Sequence, residues 1–212
     1  MTSSQTESRP PRTLSRDQRR TQLIEATIST LAELGYSRTT LSAVARRAGL
    51  SHGLVLFHFE SKEKLLGETL DFLSEEYRGN WQAALAAAGP SPEARLTALV
   101  RADFDPQVCR PDRLAAWCTF WGESQSRPLY QARCSSNDER YRQTLEDLCA
   151  QLNREAGYDR DPVIAARLIR VTIEGVWLDM MTLAAPYTPA DALRTVWTAL
   201  NALFPRHFLT WR

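Results

Sequence analysis

Histidine is almost missing from this chain of 212 residues. There are three, His52, His58 and His207, so residues 59–206 contain none. A His-based catalytic triad or a His-rich metal site is excluded from that long middle. Carboxylates or thiols would have to carry any chemistry there. Cysteine is sparse too, at 109, 118, 134 and 149, with no C-x-x-C pair. Neither a zinc knuckle nor a thioredoxin-like motif is present, and the plain reading is free thiols in a reducing cytoplasm. Gly35, Gly49 and Gly53 do not have the spacing of a P-loop or a dinucleotide fingerprint. Long apolar runs are lacking. The longest uncharged stretch, residues 79–92, is 14 long and is broken by Asn, Gln, Gly and Pro, short of the about 20 residues a membrane span needs. The first residues form no apolar core of a secretory signal, so none is expected. No metal, cofactor or catalytic group is called for, and an enzyme is not expected.

Net charge is also nearly absent, 26 Lys+Arg against 25 Asp+Glu, but it is unevenly placed. Residues 1–62 hold nine basic and five acidic side chains, and the remainder is acidic on balance. A basic first third on an acidic body is the charge pattern of a DNA-binding head on a separate core. Residues 1–14, rich in Ser, Thr, Pro and Arg, read as a disordered arm, either an inert tail or an aid to DNA affinity.

Everything after the arm reads as helix, with no alternating strand pattern, and the fold class is all-α. Ile24, Ile28 and Leu31 mark one face of a first helix from about Arg16 to Leu34, ended by a left-handed Gly35. A short second helix spans about Leu41 to Ala48, capped by Thr39 or Thr40 and ended by Gly49. A third runs from about His52 to Phe57 after Ser51, and a fourth from Ser61 to about Ala88. Five more open on a proline in the first turn, where its missing N–H costs nothing: Pro92, Pro111, Pro128, Pro162 and Pro189. The expected total is nine helices.

The second and third helices, joined by the Gly49 turn, form a candidate helix-turn-helix. Geometry alone leaves an ordinary helical corner open. Residues 24–66 carry Leu-Gly-Tyr, Thr-Thr-Leu-Ser-Ala-Val-Ala-Arg-Arg-Ala-Gly-Leu-Ser, Phe-His-Phe and Ser-Lys-Glu-Lys-Leu-Leu in sequence. This stretch resembles the DNA-binding domain of TetR-type transcriptional regulators. The resemblance implies that Thr40 bonds a phosphate and that Ser51, His52, Gly53 and Leu54 face the major groove. It also implies that His58 and Lys62 hold the DNA backbone, Lys62 aided by a helix N-terminus. His58 also reads as a packing residue. Leu56 stands where the family often has Tyr, so a phosphate or base hydrogen bond is replaced by, at most, an apolar contact to a thymine methyl.

The body carries a second resemblance. Ala-Asp-Phe-Asp at 102–105, Ala-Trp-Cys-Thr-Phe-Trp at 116–121, Arg-Pro-Leu-Tyr-Gln at 127–131 and Ile-Glu-Gly-Val-Trp-Leu at 173–178 look like the BetI type of choline-responsive repressor. The stretch Cys134-Ser135-Ser136-Asn137-Asp138-Glu139 departs from that type's Arg-rich segment. Trp117 and Trp121 are four residues apart, with Phe120 beside them, and Glu174 precedes Trp177 by one turn. These five are the candidate ligand-binding residues. An aromatic cage attracts a quaternary ammonium by about 2 kcal/mol or more when desolvated, and Glu174, Asp103 or Asp179 could offset the ligand charge. Core packing would use the same aromatics.

The eighth helix is apolar around much of its girth and the ninth has a clean stripe, Leu193, Val196, Trp197, Leu200, Leu203 and Phe204. Burial on two sides points to a core face plus an oligomer face, and the resemblance implies a homodimer through these two helices. The reading is a cytoplasmic, homodimeric transcriptional regulator with no membrane attachment. It is divided into the arm 1–14, a helix-turn-helix domain 15–60 and a helical ligand-binding and dimerisation domain 61–212. Its partners would be a pseudo-palindromic duplex operator and a small-molecule effector such as choline. A TetR-type regulator of a different ligand, or an all-α carrier or enzyme, are the rivals.

Overall fold

A computed structural model describes residues 14–124, 128–186 and 188–209. Among the described residues there are nine α-helices and no strand: α1 (Arg16–Arg38), α2 (Leu41–Ala48), α3 (His52–Phe59), α4 (Lys62–Ala87), α5 (Pro92–Asp103), α6 (Pro111–Ser124), α7 (Pro128–Ala156), α8 (Pro162–Thr182) and α9 (Pro189–Leu203). Apart from Leu14, the expected arm lies outside the described residues, as does Arg127 before α7.

Local chemistry sets most boundaries. Ser15 and Gln18 close a reciprocal capping box at the start of α1. Thr40, Ser51, Ser61, Ser91, Asp161 and Thr188 each accept a backbone N–H at the start of their helices. Gly49 ends α2 at φ 67, ψ 32, the left-handed conformation expected of it. Two boundaries differ from expectation. Gly35 has φ 72 and ψ 175, so it kinks the chain instead of capping it, and helical backbone resumes to Arg38. The third helix reaches Phe59, because Val55 and Phe59 share one buried face and packing extends the helix past its apolar run. It then turns into α4 through Glu60 at φ 61, ψ −42, a conformation that costs a non-glycine residue about 1–3 kcal/mol.

Two apolar cores hold the helices. The first joins Leu23, Ile28 and Leu31 of α1 to Val44, Val55, Phe59, Leu66 and Leu70, and takes in Ala116 and Phe120 of α6. The second joins Trp81, Leu96, Leu99, Leu145, Leu148, Leu152, Ile169, Val176, Val196, Leu200 and Phe204 of the later helices. Helix α4, about 39 Å long at 1.5 Å per residue, contributes to both. Helix α6 packs on α1, α7 and α8.

Arg113 seals the junction of head and body. Its side chain, on α6, is 4% exposed. It donates to both carboxylate oxygens of Glu25 on α1 at 2.9 and 2.7 Å, and to Glu76 of α4 at 3.1 Å. Its guanidinium lies 5.8 Å from the Phe72 ring centroid. Among the described residues, no helix is long and apolar enough to cross a membrane.

Candidate DNA-reading face and aromatic cavity

The face of α2 and α3 is built from caps and short side chains. Thr40 and Ser51 are exposed, and their hydroxyls accept from the Ala43 and Leu54 N–H groups. Each hydroxyl hydrogen is thereby left for a second partner. His52 and Gly53 are exposed, and His52 Nδ1 is 3.1 Å from Ser42 Oγ, which ties the ring to α2. Leu54 is half-buried, whereas Leu56 is 38% and Phe57 68% exposed. Arg46, one turn after Ser42 on α2, is also exposed. Thr40, Ser51, His52, Gly53 and Leu56 are thus all accessible on the α2–α3 pair.

Two expected backbone-holding residues are placed differently. His58 is 6% exposed and packs between Phe57 and Phe59, with its Nδ1 sealed and unpartnered. Burial, then the charges of Arg20, Arg16 and Arg19, hold its pKa below the usual value, so it stays neutral at pH 7. Packing is its role in this structure. The Lys62 ammonium donates to the Tyr36 and Ser37 carbonyls at 3.0 and 3.3 Å and lies 5.3 Å from the Tyr36 ring centroid. It fastens the end of α1 to the start of α4, where the Tyr36 carbonyl also accepts the Thr39 N–H at 3.3 Å.

In the body, α4, α6, α7 and α8 enclose a cavity of about 720 Å³. Its aromatic wall is Tyr77, Trp117, Trp121, Tyr130, Tyr141 and Trp177. Trp121 stacks on Trp177 at 6.2 Å and 17°, Trp117 lies 6.2 Å from Trp121, and Tyr77 meets Trp177 edge-on at 5.9 Å. Trp121 Nε1 donates to the Tyr130 hydroxyl at 2.9 Å and Trp177 Nε1 to the Asp103 carbonyl at 3.1 Å. The indole N–H groups are satisfied, which suits the rings to apolar and cation–π contact.

The lining also holds three carboxylates and two guanidiniums, Asp138, Glu139, Glu174, Arg142 and Arg170, with Val171 and Leu178 of α8 among its apolar residues. Arg170 pairs with Glu174 at 2.5 Å and Arg142 pairs with Glu139; Asp138 belongs to neither pair. Burial among the aromatics, reinforced by Glu174, pushes the Asp138 carboxyl up to about 6 against the pull of Arg170 and Tyr130. Burial likewise raises Glu174, with Arg170 opposing. Asp103 is fully buried behind the wall and lines nothing. Tyr77 donates to its Oδ1 at 2.7 Å and Tyr141 to its Oδ2. Burial pushes it up to about 7 despite these two bonds.

Of the five candidate ligand residues, Trp117, Trp121, Glu174 and Trp177 come together around the cavity. Phe120 does not. It is 3% exposed in the head core, edge-on to Tyr36 of α1 at 6.3 Å. One further step round α6 turns it from the cavity toward α1. Asp179 is exposed outside the lining.

The head matches the family model described as bacterial regulatory proteins, tetR family, over residues 23–69, and the body matches the BetI-type transcriptional repressor C-terminal model over residues 92–205. The chain belongs to the TetR family, with a BetI-type C-terminal domain. Members of this TetR family are transcriptional regulators and not enzymes. The HTH-type transcriptional regulator BetI of Stenotrophomonas maltophilia (strain R551-3) is 33% identical over 160 residues, covering 76% of this chain and 80% of that protein. The BetI regulator of Cronobacter sakazakii (strain ATCC BAA-894) is 33% identical over 183 residues, covering 85% and 87%. Among solved structures, a transcriptional regulator of Pseudomonas aeruginosa PAO1 superposes with a TM-score of 0.78 at 26% identity, covering 94% of this chain and 97% of that one. A transcriptional regulator of Saccharomonospora viridis, solved in complex with choline, superposes with a TM-score of 0.74 at 21% identity, covering 85% and 94%.

Sequence reasoning missed Tyr77, Tyr130, Asp138 and Tyr141 as cavity residues of this TetR-family body. A signal was present. Tyr130, Cys134, Asp138, Tyr141 and Leu145 recur at steps of four and three along α7, one helical face carrying a carboxylate among aromatics.

Proposed function

We propose that this TetR-family regulator is a cytoplasmic repressor released from its operator by a quaternary ammonium cation of the choline class. Residues 15–60 are its DNA-binding head and 61–212 its effector-binding and dimerising body. The observation that carries the reading is the stack of Trp121 on Trp177, flanked by Trp117, in a cavity where Asp138 stands outside the guanidinium pairs. Aromatic faces attract a desolvated cation, and the carboxylates outnumber the guanidiniums around it. The choline complex of the Saccharomonospora viridis neighbour supports the same ligand class. The cavity volume favours a second reading, a bulkier ammonium ligand, since about 300–1,000 Å³ accommodates drug-sized molecules.

The homodimer forms through α8 and α9. Ile164, Leu168, Val171 and Leu178 of α8 are exposed at steps of four, three and seven, a stripe suited to pair with its mate, and Val171 and Leu178 also line the cavity, which lies beside that stripe. Two heads then sit about one DNA turn apart on a pseudo-palindromic operator. Thr40 engages a phosphate, while Ser51, His52, Gly53, Leu54 and Leu56 meet the groove. Helix α6 transmits the signal. Arg113, Trp117 and Trp121 follow one another at four-residue steps, so one helix face joins the head clamp to the cavity wall. A ligand that displaces the two indoles moves the clamp. A coupling of about 1–3 kcal/mol weakens operator binding several- to a hundredfold.

Choline titration followed by intrinsic tryptophan fluorescence tests the ligand. A saturable change that Trp117→Ala abolishes and Phe120→Leu retains is expected. No change up to millimolar choline, or equal loss in both variants, overturns the assignment and leaves the family membership standing.

A further inference from the structure

We infer that α3 reads its operator through thymine methyl groups, with Leu56 and Phe57 as the specificity-determining side chains. The inference rests on the DNA-binding reading of the head. In the major groove, Arg and Lys select guanine, Asn and Gln select adenine, carboxylates accept from cytosine, and apolar side chains contact the thymine methyl. Helix α3 reads His-Gly-Leu-Val-Leu-Phe-His-Phe, with no Arg, Lys, Asn, Gln, Asp or Glu. Val55, His58 and Phe59 are buried in the head. The fully exposed residues of α3 are therefore His52, Gly53, Leu56 and Phe57, with Leu54 half-buried, and one nitrogen of His52 already faces Ser42 at 3.1 Å.

Leu56 lies one turn after His52 and Phe57 one turn after Gly53, so the two apolar side chains flank the helix face nearest the groove. A Cβ on Gly53 would meet nothing within 4 Å. The missing side chain lets the duplex approach α3 and brings Phe57 within reach of the base edges. The Arg16 guanidinium lies 5.9 Å from the Phe57 ring centroid; Arg16 is exposed beside the patch, and Arg46 is exposed on α2. Apolar side chains bordered by cations match a groove whose floor presents methyl groups and whose walls are phosphates. A large aromatic ring 68% exposed gains little within the chain from burial; against a methyl group it is covered.

The test selects an operator from random duplexes with the purified full-length protein, then replaces its thymines one at a time by uracil, which lacks only the methyl. Affinity is expected to fall about fourfold for each methyl contacted, the ratio equivalent to ~0.8 kcal/mol, and about sixteenfold for one such methyl in each of two half-sites. Leu56→Ala and Phe57→Ala are on the surface and leave the fold intact by circular dichroism. They should erase the thymine-to-uracil ratio at their own positions. Equal affinity for the two bases overturns the inference, as does an undiminished ratio in both variants, which would assign the effect to duplex shape. Selection that returns no salt-sensitive duplex binding would instead remove the DNA-binding reading beneath it.

Discussion

Replacing Arg113 by Met should loosen head from body while keeping the stem packed on Phe72. The magnitude follows from the geometry. Charge-assisted hydrogen bonds contribute about 1.5–3 kcal/mol net each, and Arg113 makes one bidentate pair and a further bond to Glu76. Its Nε also sits 2.9 Å from Glu76 Oε2, off the line of a good hydrogen bond. The glutamates are about two-fifths exposed, 39% for Glu25 and 42% for Glu76. Water therefore recovers much of their solvation once the guanidinium is gone, and the full penalty of a stranded buried charge does not apply. About 2–3 kcal/mol remains. For a chain of this size, about 2–4 °C of Tm is lost per kcal/mol, so calorimetry at fixed protein concentration should show a fall of about 4–12 °C. Glu25→Gln in the Arg113→Met background should add almost nothing, because both changes remove one interaction. A Tm shift under 1 °C, or losses that simply add, would refute the clamp.

Three further outcomes follow from the same structure. Asp138, at about 6, and Glu174, also raised, must ionise to balance a cation. Choline affinity measured by calorimetry should rise with pH through about 6 and level off above 7, and Asp138→Asn should flatten the rise. Asp103 is raised to about 7 in the folded state from an unfolded value near 4. Between those values the native state holds the extra proton, so this group's contribution to stability falls as pH rises and stays low above 7. Asp103→Asn should gain Tm relative to the parent on going from pH 5 to pH 8; an unchanged difference would contradict that burial. Leu168→Glu places a charge on the exposed α8 stripe and should give monomers in sedimentation equilibrium, with operator affinity reduced; intact dimers would move the interface elsewhere.

The legible part of this fold was the part written in local chemistry. Caps such as Ser51, Ser61 and Thr188 and first-turn prolines at 92, 111, 128, 162 and 189 mark helix starts that the structure places at the same residues. The Gly49 turn was legible for the same reason, since its left-handed backbone excludes most other residues. What escaped depends on tertiary neighbours. Trp117, Phe120 and Trp121 lie within one wide helical face, and only the position of α1 beside α6 sends Phe120 into the head core while the indoles turn to the cavity. The phosphate role implied for Lys62 gave way to carbonyls of α1 that lie 25 and 26 residues away in sequence. Tyr77 and Tyr141 meet at Asp103 from α4 and α7, a convergence that no single periodicity encodes.

The most direct measurement combines both ends of the proposed switch. Fluorescence anisotropy of a selected operator duplex should be titrated with the purified protein across a range of salt, with and without saturating choline. The account predicts binding that weakens steeply with salt and a further loss of several- to a hundredfold with choline, the latter absent in Trp121→Ala. Salt-sensitive binding that choline leaves unchanged, alongside a cavity that still takes up the cation, would contradict the coupling through α6.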